Sequence, residues 1–171
     1  MKTKQTLLSL LEKALILTAL QITTYAAGDV ALNPTHFPYP AFLKYFKSPF
    51  YDRNGDSILP PTEIANMKAP GFTCDYPITD LTGIEHLTAL KSTCIADLTG
   101  LTSFDFSKNL LLTFVDCQNN SINHLNVSKN TLLNTLVYSS NALMSLDLPQ
   151  NIATLNYKNQ TIWAATYLMA A

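Results

Sequence analysis

A β-dominated solenoid of short parallel strands, preceded by a small helical cap, is the fold this sequence predicts, and three observations carry that reading. The first is a repeat. Leu101, Ile122 and Leu143 lie 21 residues apart, as do Phe104, Leu125 and Leu146, and Phe106, Val127 and Leu148. The second is a half-unit running in phase, which pairs Leu112 with Leu133, Val115 with Leu136, Cys117 with Tyr138 and Asn120 with Asn141. The third is an asparagine at each turn: Asn109, Asn130 and Asn151. Self-similarity at a fixed period of about 20 to 50 residues is the mark of stacked coils.

Each half-unit reads apolar, two variable, apolar, one variable, apolar, two polar, Asn, as in LTSFDFSKN and INHLNVSKN. The close apolar pair (Phe104 with Phe106, Leu125 with Val127) has the period of two that a short half-buried strand requires. The following Asn turns the chain, and its amide can satisfy open backbone groups. Stacked coils would therefore build an Asn ladder at each corner. A single coil cannot offset the cost of ordering its own backbone, so it holds its shape only against neighbours.

The run LTSFDFSKNLLLTFVDCQNNSINHLNVSKNTLLNTLVYSSNA resembles the tandem leucine-rich repeats of secreted and surface proteins from gut-type anaerobic bacteria. ITDLTGIEHLTAL, residues 78–90, resembles their lead-in segment and that of internalin-like repeats. The resemblance reaches back to Leu32 and covers most of the chain beyond a leader. It implies an α/β leucine-rich-repeat solenoid, β-dominated, with a small EF-hand-like helical cap. A repeat signature is specific for fold and says little about any one function.

In chain order, residues 1–26 read as a signal peptide. Lys2 and Lys4 make a basic start, and ALILTALQI (residues 14–22) is an apolar core of nine residues, too short to span a bilayer that needs about 20. Thr24-Tyr25-Ala26 offers an imperfect cleavage site. A membrane anchor or an amphipathic helix is the other reading of this stretch. With no Cys beside the cleavage point, a lipid-modified terminus is not expected. Removing these residues leaves 8 basic and 11 acidic residues, a net charge of −3. No Lys/Arg cluster provides a nucleic-acid footprint.

Residues 27–77 read as the cap. Pro40 suits the first turn of a helix, and Phe42, Leu43, Tyr45 and Phe46 can line its buried face. Next comes DRNGDSILPPTE, residues 52–63, with Asp52, Asn54 and Asp56 at loop positions 1, 3 and 5, Ile58 at 7 and Glu63 at 12. That is the spacing of the EF-hand calcium loop: three short oxygen ligands, a backbone carbonyl and a bidentate Glu. Leu59 supplies the apolar anchor, and Pro61 can start the exiting helix. Two positions depart from the pattern. Ser57 stands where Gly is expected, the Gly having moved to Gly55, and Pro60 offers no side-chain ligand at position 9. A structural calcium ion and a metal-free cap of Asx turns both remain open. The resembling bacterial proteins carry a similar loop before their repeats.

Residues 78–171 read as the solenoid. Ile78, Leu81, Ile84, Leu87 and Leu90 step through a degenerate first coil, and a residue is inserted before Leu101, leaving the placement of Thr93, Cys94 and Ile95 open. Cys74, Cys94 and Cys117 lack the CxxC spacing of a zinc site. Cys117 falls in an inward column as a small hydrophobe, and a Cys74–Cys94 disulfide stays open. After Leu148 the unit shortens by two, and the sequence ends in apolar WAATYLMAA with no polar capping segment. Either a longer repeat protein has been truncated here, or this edge pairs with something, self-association being the expectation.

Three scattered histidines (His36, His86, His124) and the absence of GxSxG, HExxH or phosphate-cradling Gly motifs argue against an enzyme. Alternation instead nominates one sheet face for binding. Its outward residues are Phe114, Asp116 and Gln118, then Thr135, Val137 and Ser139, then Thr154, Asn156 and Lys158, stacked about 4.8 Å apart. Phe114 and Val137 form its apolar spot. The functional expectation is an exported protein-interaction module at the bacterial surface or secreted, with a protein partner whose identity the sequence does not give. A self-assembling structural or adhesive surface component is the alternative.

Overall fold

Asn ladders and inward apolar files dictate the architecture, which the computed structural model describes for residues 25–71, 78–150, 152–156 and 168–169. The cap comes first. A short antiparallel pair, β1 (Val30–Ala31) and β2 (Ile58–Leu59), brackets the helix α1 (Pro40–Phe46), and α2 (Pro61–Ile64) follows. Pro occupies the first turn of both helices, where its missing N–H costs nothing. Phe42 and Phe46, one turn apart on α1, are fully buried and stack at 4.9 Å between ring centroids. Phe37 closes the cluster at 5.9 and 5.5 Å from them.

Two parallel sheets then build the solenoid. One contains β3 (Ser92–Cys94), β4 (Phe114–Asp116), β6 (Thr135–Val137) and β8 (Thr154–Asn156), in that order. The other contains β5 (His124–Asn126), β7 (Ser145–Leu148) and β9 (Leu168–Met169). The register matches the repeat: Val115 stands beside Leu136, and Leu125 beside Leu146. Each file is buried throughout its regular part, including Leu101, Ile122 and Leu143, and Phe106, Val127 and Leu148. One continuous apolar core runs from Val30 in the cap to Leu148.

The ladders form as the turn asparagines require. Asn109 Nδ2 donates to the carbonyls of Ile84 and Leu87, and Asn130 Nδ2 to those of Phe106 and Asn109, all between 2.8 and 3.0 Å. At the second corner Asn120 reaches Ile95 and Cys117, and Asn141 reaches Cys117 and Tyr138. Leu98 occupies the ladder position in the coil before Asn120. Asn151 lies outside the described residues.

The irregular coils resolve differently from the regular ones. Ser92, Thr93 and Cys94 pair in register with Phe114, Val115 and Asp116, so Thr93 points inward and Cys94 outward. The extra residue is therefore taken up later, at Thr99–Gly100, where Gly100 lies against Thr79 closely enough that a Cβ would stand 2.4 Å from its Cγ2. The half-unit 104–106 forms no strand, contrary to its period of two. Phe104 stays half-buried and stacks on Phe106 at 4.5 Å, and the coil before it carries a 3₁₀ turn, Ile84–His86, in place of a pairing strand. Beyond β6 the spacing falls to 19, as Thr135 pairs with Thr154.

Cap and solenoid share backbone. The amides of Lys91 and Ser92 donate to Lys68 O at 2.8 and 3.0 Å, Thr93 Oγ1 donates to Pro70 O, and Gly71 bridges in parallel to Cys94. The cap thus adds its last residues to the first sheet. The proposed leader falls almost entirely on residues 1–24, outside the described residues. Among the described residues no helix is long and apolar enough to cross a membrane.

Candidate functional site

The outward side chains of the four-stranded sheet form two rows. Ser92, Phe114, Thr135 and Thr154 stand side by side in one, and Cys94, Asp116, Val137 and Asn156 in the other. Phe114 and Val137 are both half-buried and sit on neighbouring strands two residues out of register. Such diagonal neighbours on a sheet lie about 7–8 Å apart, within reach of an aromatic ring. They form one apolar spot flanked by Asp116, whose carboxylate accepts from the backbone and side-chain amides of Gln118 at 3.1 and 3.3 Å. Ser139 departs from the expected face. It is 7% exposed, because the chain turns at Ser140 (φ 54°) and folds the hydroxyl toward Asn156 Oδ1 of the next coil. Lys158 lies outside the described residues.

The 52–63 loop turns as the calcium pattern requires, by different residues. Ser57 adopts the left-handed φ of 62° that position 6 demands, and Gly55 a φ of 71°. Asp52 is buried, and its Oδ2 accepts the Ser57 amide at 3.0 Å. Glu63, in the first turn of α2, reaches back so that Oε1 accepts the Arg53 amide at 3.3 Å. Asn54 and Asp56 hold each other at 2.8 Å, and Asp56 Oδ1 accepts the Ile58 amide at 2.8 Å. In this arrangement no three His, Cys, Asp or Glu side chains among the described residues converge on one point.

These coils have known counterparts. Among solved structures, the internalin InlF of Listeria monocytogenes matches over 83% of this chain and 48% of its own, with 15% identity and a TM-score of 0.53. The chain folds as a leucine-rich-repeat solenoid. The functional domain of InlJ from the same organism, described as including a cysteine ladder, is matched over 82% of this chain and 45% of its own, with 19% identity and a TM-score of 0.36. The leucine-rich-repeat chain thus spans about half the length of either protein. No family model and no curated protein matches it.

Cys117 is fully buried, and burial pushes its thiol far above the usual range, with Asp116 adding to the effect. Cys94 is an exposed free thiol, and Cys74 lies outside the described residues. Two features escaped the sequence reading. His36 and His86 stack edge-on at 5.0 Å where the cap meets the first coil, although 50 residues separate them in the chain. Leu110, Leu111 and Leu132 are exposed at one corner. Leu111 and Leu132 occupy one repeat column, which the period could have exposed had that corner been assigned a side.

Proposed function

We propose that this protein is an exported protein-interaction module whose binding surface is the outward face of the four-stranded sheet. The observation that supports this reading is the pair of parallel rows on that face, with Phe114 and Val137 half-buried beside Asp116, Thr135 and the exposed Thr154 and Asn156. An apolar spot rimmed by hydrogen-bonding groups is how protein interfaces are commonly built. Its position on a rigid sheet keeps the ordering cost of binding low. Residues 1–26 would direct the chain out of the cell, to the surface or the medium. Self-assembly through the C-terminal edge, the competing reading, turns chiefly on residues 157–167, outside the described residues.

Paired substitutions separate the two. Phe114→Asp and Val137→Asp change partly exposed side chains, so each should cost on the order of 1 kcal/mol of stability. Crosslinking of the wild-type chain at the surface of its source cells should capture a partner that both variants lose. Their sedimentation should match that of the wild type. Partner capture undiminished by both variants would sink the assignment of this face.

A further inference from the structure

The loop between the two cap helices presents a problem of uncompensated charge. Asp52 is 3% exposed, and its Oδ1 is buried with no hydrogen-bond partner. Glu63 Oε2 is in the same condition. Both carboxylates are drawn into the loop by their other oxygens, Asp52 through the Ser57 amide and Glu63 through the Arg53 amide. Among the described residues no Lys or Arg forms an ion pair with either. A buried carboxylate oxygen left without a donor or a cation is strongly unfavourable. Two of them on one loop, at positions 1 and 12, call for a positive charge between them.

We propose that this loop binds one calcium ion. Asp52, Asn54 and Asp56 supply side-chain oxygens, Ile58 its backbone carbonyl, and Glu63 both carboxylate oxygens. The backbone is already arranged for this. Ser57 holds the left-handed turn at position 6, and β2 fixes Ile58 and Leu59 against β1. Asn54 and Asp56 are exposed and bonded chiefly to each other. Turning them inward exchanges that contact, and the bonds they accept from the Asp56 and Ile58 amides, for two ligand bonds. A hard cation accepting six or more oxygens at flexible geometry suits this set, whereas magnesium demands a tight octahedron. Pro60 leaves position 9 to water, and the adjacent Arg53 reduces the local negative charge. Affinity therefore falls in the range of extracellular modules, with a Kd of about 10⁻⁴ to 10⁻³ M. The bound ion would tie α1, β2 and α2 together and fix the cap over the first coil.

The test is a titration of the calcium-depleted full chain with calcium chloride at constant ionic strength, read by calorimetry and by thermal melting. One saturable site is expected, with a Tm that climbs as occupancy rises. Terbium, excited through the neighbouring Tyr51, should luminesce and be displaced by calcium. Glu63→Gln should weaken binding roughly tenfold or more, through loss of the bidentate charge. Asp56→Asn alters an exposed side chain, leaves the fold intact and should also weaken binding. The proposal is overturned if wild-type protein with native circular dichroism shows neither heat nor a Tm shift at about 10 mM calcium, beyond the weakest class of such sites. It is equally overturned if magnesium shifts Tm as much, or if both variants bind as the wild type does.

Discussion

Asn130 shows how much of this fold rests on single side chains. It is fully buried, and its amide gives both protons to the carbonyls of Phe106 and Asn109 in the preceding coil. Each of those carbonyls also accepts one backbone amide, Asn109 N at Phe106 O and Leu112 N at Asn109 O, so the Asn130 amide supplies the second bond to each and ties the coils together. Asn130→Ala removes two buried hydrogen bonds between coils and should cost about 1–3 kcal/mol. Asn130→Asp should cost more, since it removes both donors and sets a carboxylate against two carbonyl oxygens. Asn126 is the control. It is exposed, and its Oδ1 accepts the Ser128 amide at 3.1 Å and hydroxyl at 2.7 Å within one turn at the surface, so Asn126→Ala should cost on the order of 0.5–1 kcal/mol. Urea unfolding of the three variants checks the order. Equal costs for Asn130→Ala and Asn126→Ala would mean that the ladder contributes nothing special.

At the scale of elements, the joint between cap and solenoid is the sensitive place. Gly83 adopts a φ of 108°, and a Cβ there would stand 2.3 Å from Phe37 Cδ1 and 2.6 Å from His36 O. This close approach brings His86 against Phe37 and His36. Burial lowers the His86 pKa; Glu85 works against that shift and His36 with it. The unfolded chain thus binds the His86 proton more readily than the folded one. The stability contributed by neutral His86 is present above the ordinary histidine value of about 6.5 and is lost as pH falls through the lower folded-state value. Tm should therefore drop below about pH 6, and His86→Gln should flatten that slope. A wild-type Tm independent of pH from about 5 to 7 would refute it. None of this joint was legible in the sequence, because it depends on residues some 50 positions apart meeting in space. The repeat files were legible because identical spacings put identical side chains in vertical contact. The cap helices were legible from Pro40, Pro61 and the aromatic spacing. The place of the inserted residue stayed open because Leu90 to Leu101 offers several equivalent slots, and the register of Ser92–Cys94 with Phe114–Asp116 puts it later, at Thr99–Gly100. Ser139 was misread as outward because alternation fails where the chain turns at Ser140.

Across the whole molecule, the question is whether cap and solenoid unfold together. The apolar core is continuous from Val30 to Leu148, and the first sheet donates hydrogen bonds to the Lys68 and Pro70 carbonyls of the cap. Solenoids couple mainly through neighbouring units, so cooperativity survives only if each interface is strong relative to each unit. Here the cap interface comprises Phe37 packed on His86 and Gly83 together with that backbone continuity, comparable in kind to any coil–coil contact. One transition is therefore expected. Phe42→Ala, in the cap, should cost about 3–5 kcal/mol and Leu136→Ala, two coils away, about 2–5 kcal/mol. With no shared contacts the double variant should lose the sum, within roughly 0.5 kcal/mol. Far-ultraviolet circular dichroism and tyrosine fluorescence should report the same midpoint in every variant, because Tyr51 in the cap and Tyr138 in the repeats melt together. A biphasic curve in Phe42→Ala, with the tyrosine signal leaving before the strand signal, would show that the cap is a separate folding unit docked on an independently stable solenoid.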